Sequence, residues 1–146
     1  MKKLIFEPIF DSSVGQMWAF FSEIEHYPKY IEYAHSTYLE GDFKEDAIWY
    51  EWTTVMYLPM KIKHKIKKVT FLKEIIYHVE FPAGEIWQKL NFEDLSGKTK
   101  VRAEITIKFH HFLVEKIVGP LVYKRNINMV ESSIRNLKES LTNGNN

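Results

Sequence analysis

The chain has 146 residues, with 20 Lys and Arg against 19 Asp and Glu, a formal net charge of +1, and no cysteine. The charge balance gives no overall pull toward nucleic acid or membrane, and the missing thiols exclude disulfides, thiolate nucleophiles and cysteine-based zinc sites. The length fits one domain, 1–146, able to bury about 68 to 70% of its unfolded surface.

The opening Met1-Lys2-Lys3-Leu4-Ile5-Phe6 is faintly signal-like, but Glu7, Pro8 and Asp11 cut its apolar run short. No stretch approaches the roughly 20 apolar residues of a membrane span, so a soluble, cytoplasmic protein is expected. Residues 2–9 read as a first strand, ended by Pro8 and the turn residues Asp11, Ser12 and Ser13. Ser13 followed three residues later by Gln16 fits a capping box, and Val14, Met17, Trp18, Phe20 and Phe21 continue as a helical stripe. This helix is expected to break at Tyr27-Pro28, with one more turn over 28–33.

From Ala34 the apolar period changes from 3.6 to 2, with turn signals at Gly41-Asp42, Leu58-Pro59, Pro82-Ala83-Gly84 and Ser96-Gly97. Six strands are expected, over 35–40, 47–57, 60–71, 74–81, 85–93 and 98–110. Short connections make them an antiparallel meander, seven strands with the first. Alternation puts Val101, Ala103, Ile105, Ile107 and Phe109 on the core face of the last strand. The same rule sends Met60, Ile62, His64 and Ile66 inward and Lys61, Lys63, Lys65 and Lys67 outward. Tyr50, Trp52, Thr54 and Met56 are read as inward, with Glu51 outward. Ile75, Tyr77, Val79 and Phe81, then Ile86, Gln88, Leu90 and Phe92, complete the inner face.

Over 112–141 the pattern returns to helical steps. Ile127, Val130, Ile134, Leu137 and Leu141 form one stripe, while Leu113, Val114, Ile117, Val118, Leu121, Val122 and Tyr123 imply burial on more than one side. Gly119-Pro120 predicts a short lead-in turn and a main helix starting at Pro120. Asn143 and Gly144 stop it, leaving 142–146 as a frayed tail.

The order strand, helix, six strands, long helix resembles the START-like, or Bet v 1-like, superfamily, and within it the polyketide cyclase/dehydrase and lipid-transport group near the coenzyme Q-binding branch. The residues that carry the resemblance are Glu25-His26-Tyr27-Pro28-Lys29-Tyr30, Leu90-x-Phe92 before Gly97 to Val101, and Gly119-Pro120 with Met129 beyond. It implies an α+β helix-grip fold, a curved seven-stranded antiparallel sheet wrapped around a long C-terminal helix. It also implies a cavity for a lipid-like, polyketide-like or quinone-like molecule.

The candidate ligand-binding residues are Tyr50, Trp52, Met56, His64, Tyr77, Gln88, Ile105, Ile107, Tyr123 and Ile127, around a hollow of about 300 Å³. Inward aromatics often only fill a core, but this face carries more hydroxyl, indole and amide tips than a dry core satisfies. His64 between inward Ile62 and Ile66 reads either as a hydrogen-bonded core histidine or as a cavity contact that could serve as a general acid/base. It is the one candidate for catalysis, in a cyclase/dehydratase-type enzyme using His64 or a tyrosine; without a partner acid on the inward face, a binding module leads. His110 and His111 are adjacent and diverge, so no metal and no cofactor are expected. The lysine face reads as a solvated sheet surface, the alternatives being a ribosome or an anionic membrane; nucleic acid is not an expected partner. Oligomeric state is not encoded in any pattern here.

Overall fold

The computed structural model describes residues 1–55 and 57–143. Strands β1 (Lys2–Phe6), β2 (Ile9–Phe10), β3 (Ala34–Glu40), β4 (Ile48–Val55), β5 (Leu58–Thr70), β6 (Glu74–Phe81), β7 (Gly84–Asp94) and β8 (Thr99–Phe109) form one antiparallel sheet. Helix α1 (Val14–Ser22) and a 3₁₀ turn (Ile24–Lys29) link β2 to β3, and α2 (Phe112–Thr142) ends the chain. Sheet order is β1-β8-β7-β6-β5-β4-β3, with β2 pairing only with the far end of β8. The expected first strand is therefore two pieces, split at Glu7-Pro8. Pro8 lacks a ladder donor, but its carbonyl accepts from Val101 N at 3.0 Å.

Four local expectations are corrected. The first helix ends at Glu23, before Tyr27-Pro28, because a 3₁₀ turn takes up 24–29 with Pro28 inside it. Ser13 does cap α1, accepting from Gln16 N at 3.2 Å, while the Gln16 side chain pairs with Ser12 Oγ instead of closing the box. The last helix does not begin at Pro120. It runs unbroken from Phe112, capped by the His111 ring, which accepts from Leu113 N at 3.2 Å. Gly119 explains the tolerance: the residue before a proline resists the helical region largely through its Cβ, and glycine has none. Gly119 is buried, and an added Cβ would sit 3.4 Å from both the Tyr123 ring and Glu115. Thr142 is still helical and Asn143 is its C-cap, so the tail is shorter than expected; 144–146 lie outside the described residues.

The inner face of the sheet carries two apolar clusters. One gathers Phe10, Met17, Trp18, Ile24, Ile66, Ile75 and Val101 under α1, the 3₁₀ turn and the last turns of α2, through Ile134 and Leu137. The other joins Leu4, Ile105 and Ile107 to Val122, Tyr123, Ile127 and Val130 of α2. Arg125 of α2 donates to Thr53 Oγ1 at 3.0 Å and Thr54 O at 3.3 Å, and Asn136 donates to Tyr30 O at 2.9 Å. These bonds fasten the helix beside β4 and the 3₁₀ turn, so it spans the concave side of the sheet.

Candidate functional site

A cavity of about 150 Å³ lies between the two clusters, walled by α1, the 3₁₀ turn, the sheet and the second half of α2. Its walls are mostly apolar: Phe20, Phe21, Ile31, Leu90, Val101 and Ile134 are representative. Polar residues line it too: Glu51, His64, Tyr77 and Gln88 come one apiece from β4 to β7, and Lys89 of β7 and Glu104 of β8 join them.

The local chemistry centres on β4 and β5. Trp49 pairs directly with His64, which sets their side chains on the same face, and the rings stack with centroids 3.7 Å apart and planes 6° from parallel. Glu51 lies two residues along β4 and so diagonal to His64; its Oε1 is 3.0 Å from His64 Nε2. Both are almost removed from water, at 6% and 5% exposure. With Nε2–H donating to the carboxylate, Nδ1 presents a lone pair. Among the described residues, the buried side-chain atoms without a partner are that His64 Nδ1 and Trp49 Nε1. One is an acceptor and the other a donor, on two rings in contact.

The tyrosines behave differently. Tyr27 Oη donates to the Phe21 carbonyl, and the Tyr77 hydroxyl lies 2.8 Å from Tyr27 Oη and 3.3 Å from the same carbonyl. Both protons are thus committed to protein acceptors. Burial raises the pKa of each phenol far above its usual value; the neighbouring Tyr27 adds to the rise at Tyr77, while the hydrogen bond to Tyr77 offsets part of it at Tyr27. They orient and accept; they do not release protons near neutrality.

Of the residues picked out in the sequence, His64, Tyr77, Gln88 and Ile105 line the cavity. Tyr50 and Trp52 do not: they stand on the outer face, Trp52 at 48% exposure, with Lys61 Nζ 4.2 Å from the Tyr50 ring centroid and 5.7 Å from that of Trp52. The physical reason is that both alternating sets in β4 are rich in aromatics, so a one-residue slip moves every side chain to the other face without breaking the apolar pattern. Trp49, Glu51 and Thr53 are the inward set. Ile107, Tyr123 and Ile127 belong to the second cluster and close the end of the cavity instead of lining it. Tyr123 donates to Glu115 at 2.7 Å, and burial with that bond pushes its pKa to about 12. Met56 lies outside the described residues.

Glu51 and Trp49 are the site residues missed by sequence reasoning. The pointer to them was His64 itself: once it faces inward, its partner across β4 must face inward too, and Glu51 two residues on shares that face. Lys61 and Lys63 do face outward, and a bulge between Ile66 and Lys68 sets Lys67 off the regular ladder, its Nζ 5.8 Å from the Trp87 ring.

No protein-family model matches the sequence, and no curated protein matches it. Solved structures do match the fold. A START superfamily protein from Mycobacterium smegmatis is 10% identical with a TM-score of 0.78, covering 97% of each chain. Major latex-like protein 151 from Panax ginseng is 15% identical with a TM-score of 0.76, over 94% of this chain and 95% of that one. Norcoclaurine synthase from Thalictrum flavum, in complex with dopamine and hydroxybenzaldehyde, is 16% identical with a TM-score of 0.71, over 93% of this chain and 85% of that one. At such low identity it is the shared architecture that is established: an α+β helix-grip fold of the START-like, Bet v 1-like kind.

Proposed function

We propose that this chain is a single cytoplasmic ligand-binding domain whose cavity holds a compact apolar molecule, with a polar group of that molecule seated against Glu51, His64 and Trp49. The observation that carries the reading is the buried carboxylate–imidazole pair set in the wall of a mostly apolar hollow. A cavity of about 150 Å³ left empty forfeits on the order of 4 kcal/mol of packing. The unpartnered Nδ1 and Nε1 add a desolvation cost of about 1 to 3 kcal/mol each. A bound molecule with a hydroxyl, which both donates and accepts, would relieve all three terms. The volume favours a single ring system over an extended acyl chain. The aromatic compounds bound in the similarly folded norcoclaurine synthase support that preference.

A second reading has its own observation. Glu51 holds Nε2, so His64 has the arrangement of a general base whose tautomer is fixed by a carboxylate, in a site screened from water. A cyclase- or dehydratase-type proton transfer on a polyketide-like ring substrate is the enzymatic form of the same site.

The test of binding is native mass spectrometry of the purified protein, followed by titration with an environment-sensitive apolar dye. Ala103→Phe, which fills the hollow from β8, should weaken dye binding at least tenfold. Equal binding by both proteins would place the ligand elsewhere. His64→Gln should leave binding of the apolar dye within a few-fold, weaken a ligand that seats a hydroxyl on the ring nitrogen, and abolish any turnover of a substrate found this way.

A further inference from the structure

The antiparallel strands bring the β4–β5 turn, the β6–β7 turn and the end of β8 to the same end of the sheet, since Val55 pairs with Leu58, Phe81 with Gly84, and Gly84 with Phe109. The first turns of α2 begin there, and the Arg125 bond to Thr54 sets the helix alongside the β4–β5 hairpin. This end carries a concentration of bare apolar side chains: Tyr57 and Leu58 on the hairpin, and Phe112, Leu113, Ile117 and Leu121 on the helix, from 50% to 97% exposed. Leu113, Ile117 and Leu121 recur every four residues and form one outward stripe. Soluble proteins rarely leave so many large apolar side chains bare at one end unless they meet something.

The charge around the patch identifies the partner. Lys116 and Lys124 lie beside the stripe, exposed, and Lys61 and Lys63 follow the hairpin, also exposed. Between residues 112 and 128 the one acidic residue is Glu115. It is already occupied by the Tyr123 hydroxyl at 2.7 Å and the N-terminal ammonium at 3.2 Å, which hold its pKa below the usual carboxylate range. The hairpin stretch 55–63 has no acid at all. Apolar tips with flanking lysines, and no free carboxylate on the 55–63 hairpin or along 112–128, match an anionic lipid surface, the exposed acid at this end being Glu80 beside the β6–β7 turn: the side chains enter the acyl boundary and the ammonium groups reach the headgroups. A second copy would bring lysines against lysines across a two-fold axis, and the helix stripe Leu113, Ile117 and Leu121 is aliphatic, which gives bases no row of rings to stack on. We infer that this end of the molecule docks peripherally on anionic membrane.

The experiment is co-sedimentation with vesicles of phosphatidylcholine alone and of phosphatidylcholine carrying about one third phosphatidylglycerol. The expected result is binding to the anionic vesicles only, weakened by salt. Ile117→Glu with Leu121→Glu should lose at least tenfold in affinity. Lys116→Glu and Lys124→Glu should each lose roughly fivefold. Leu95→Glu, at the opposite end of the sheet, should bind like the parent. All of these positions are solvent-exposed, and circular dichroism melts matching the parent confirm folding. Failure of the parent to bind anionic vesicles, or unchanged binding by the Ile117→Glu, Leu121→Glu variant, overturns the assignment. So does a parent that ignores vesicles yet forms a dimer dissolved by that variant, or binds a single-stranded oligonucleotide through Lys116 and Lys124. None of these outcomes touches the cavity, whose occupancy is read separately by the dye.

Discussion

His64 and Glu51 show how much one hydrogen bond governs at the scale of a residue. The imidazole is stacked on Trp49 and held through Nε2, so removing the carboxylate leaves a second buried ring nitrogen without a partner. Glu51→Ala should lower the free energy of unfolding by about 1 to 3 kcal/mol, and Glu51→Gln by less, since an amide oxygen can still accept. Denaturant titration of the three proteins checks the order. The tyrosine pair makes a prediction in pH. Both phenols have folded pKa values raised above the unfolded value of about 10, so the unfolded chain loses these protons first as pH climbs. Their contribution is complete below about pH 10 and falls progressively above it. Melting temperature should therefore drop steeply on the alkaline side, and Tyr77→Phe should flatten that drop; parallel curves for parent and variant would show that the pair does not govern it.

At the scale of elements, α2 is two helices in one. Ile134, lining the cavity, and the exposed Ile117 differ by 17 positions, yet both are isoleucines in an apolar pattern. Ile134→Asp should cost several kcal/mol by burying a charge among apolar neighbours, and Ile117→Asp should leave the melt nearly unchanged. Comparable losses in the two variants would mean that the N-terminal half of α2 is covered. This contrast also shows what could be read in advance. The six-strand meander β3 to β8 and the inward face of β5 to β8 follow from alternation and short turns, because one face there is polar enough to break the tie, as with Lys61, Lys63 and Lys65 opposite His64 and Ile66; the split of the first strand and its pairing with β8 do not. The facing of β4 could not follow from alternation, since Tyr50 and Trp52 are as apolar as Trp49. Their place outside is offset by the Lys61 ammonium, which lies over both rings, a tertiary effect invisible to periodicity. The half-site His64, Tyr77, Gln88 and Ile105 was legible for the same reason that Glu51 was not. In α2 the surplus of apolar residues before Tyr123 was visible, but a second buried face and an exposed docking face have the same pattern.

Taken as a whole molecule, the sheet is sequential from β3 to β8, and two things break the sequence: β1 pairs with β8 about a hundred residues later, and α2 comes last. Six strands can therefore pair with their neighbours while part of the concave face is still bare. During synthesis α1 and the 3₁₀ turn can cover Ile66, Ile75, Tyr77 and Val101, but the part of that face around Ile105 and Ile107 has no cover until α2 has left the ribosome. The α2 helix is thus the closing step of folding as well as a wall of the cavity. A chain ending at residue 111 should accumulate in inclusion bodies, and supplying 112–146 as a separate peptide during refolding should recover soluble protein. Solubility of the shortened chain on its own would show that α1 and the 3₁₀ turn protect the sheet unaided. Because α2 follows all eight strands, the growing chain carries part of its concave face bare for most of their synthesis, a vulnerability of timing that the finished structure conceals.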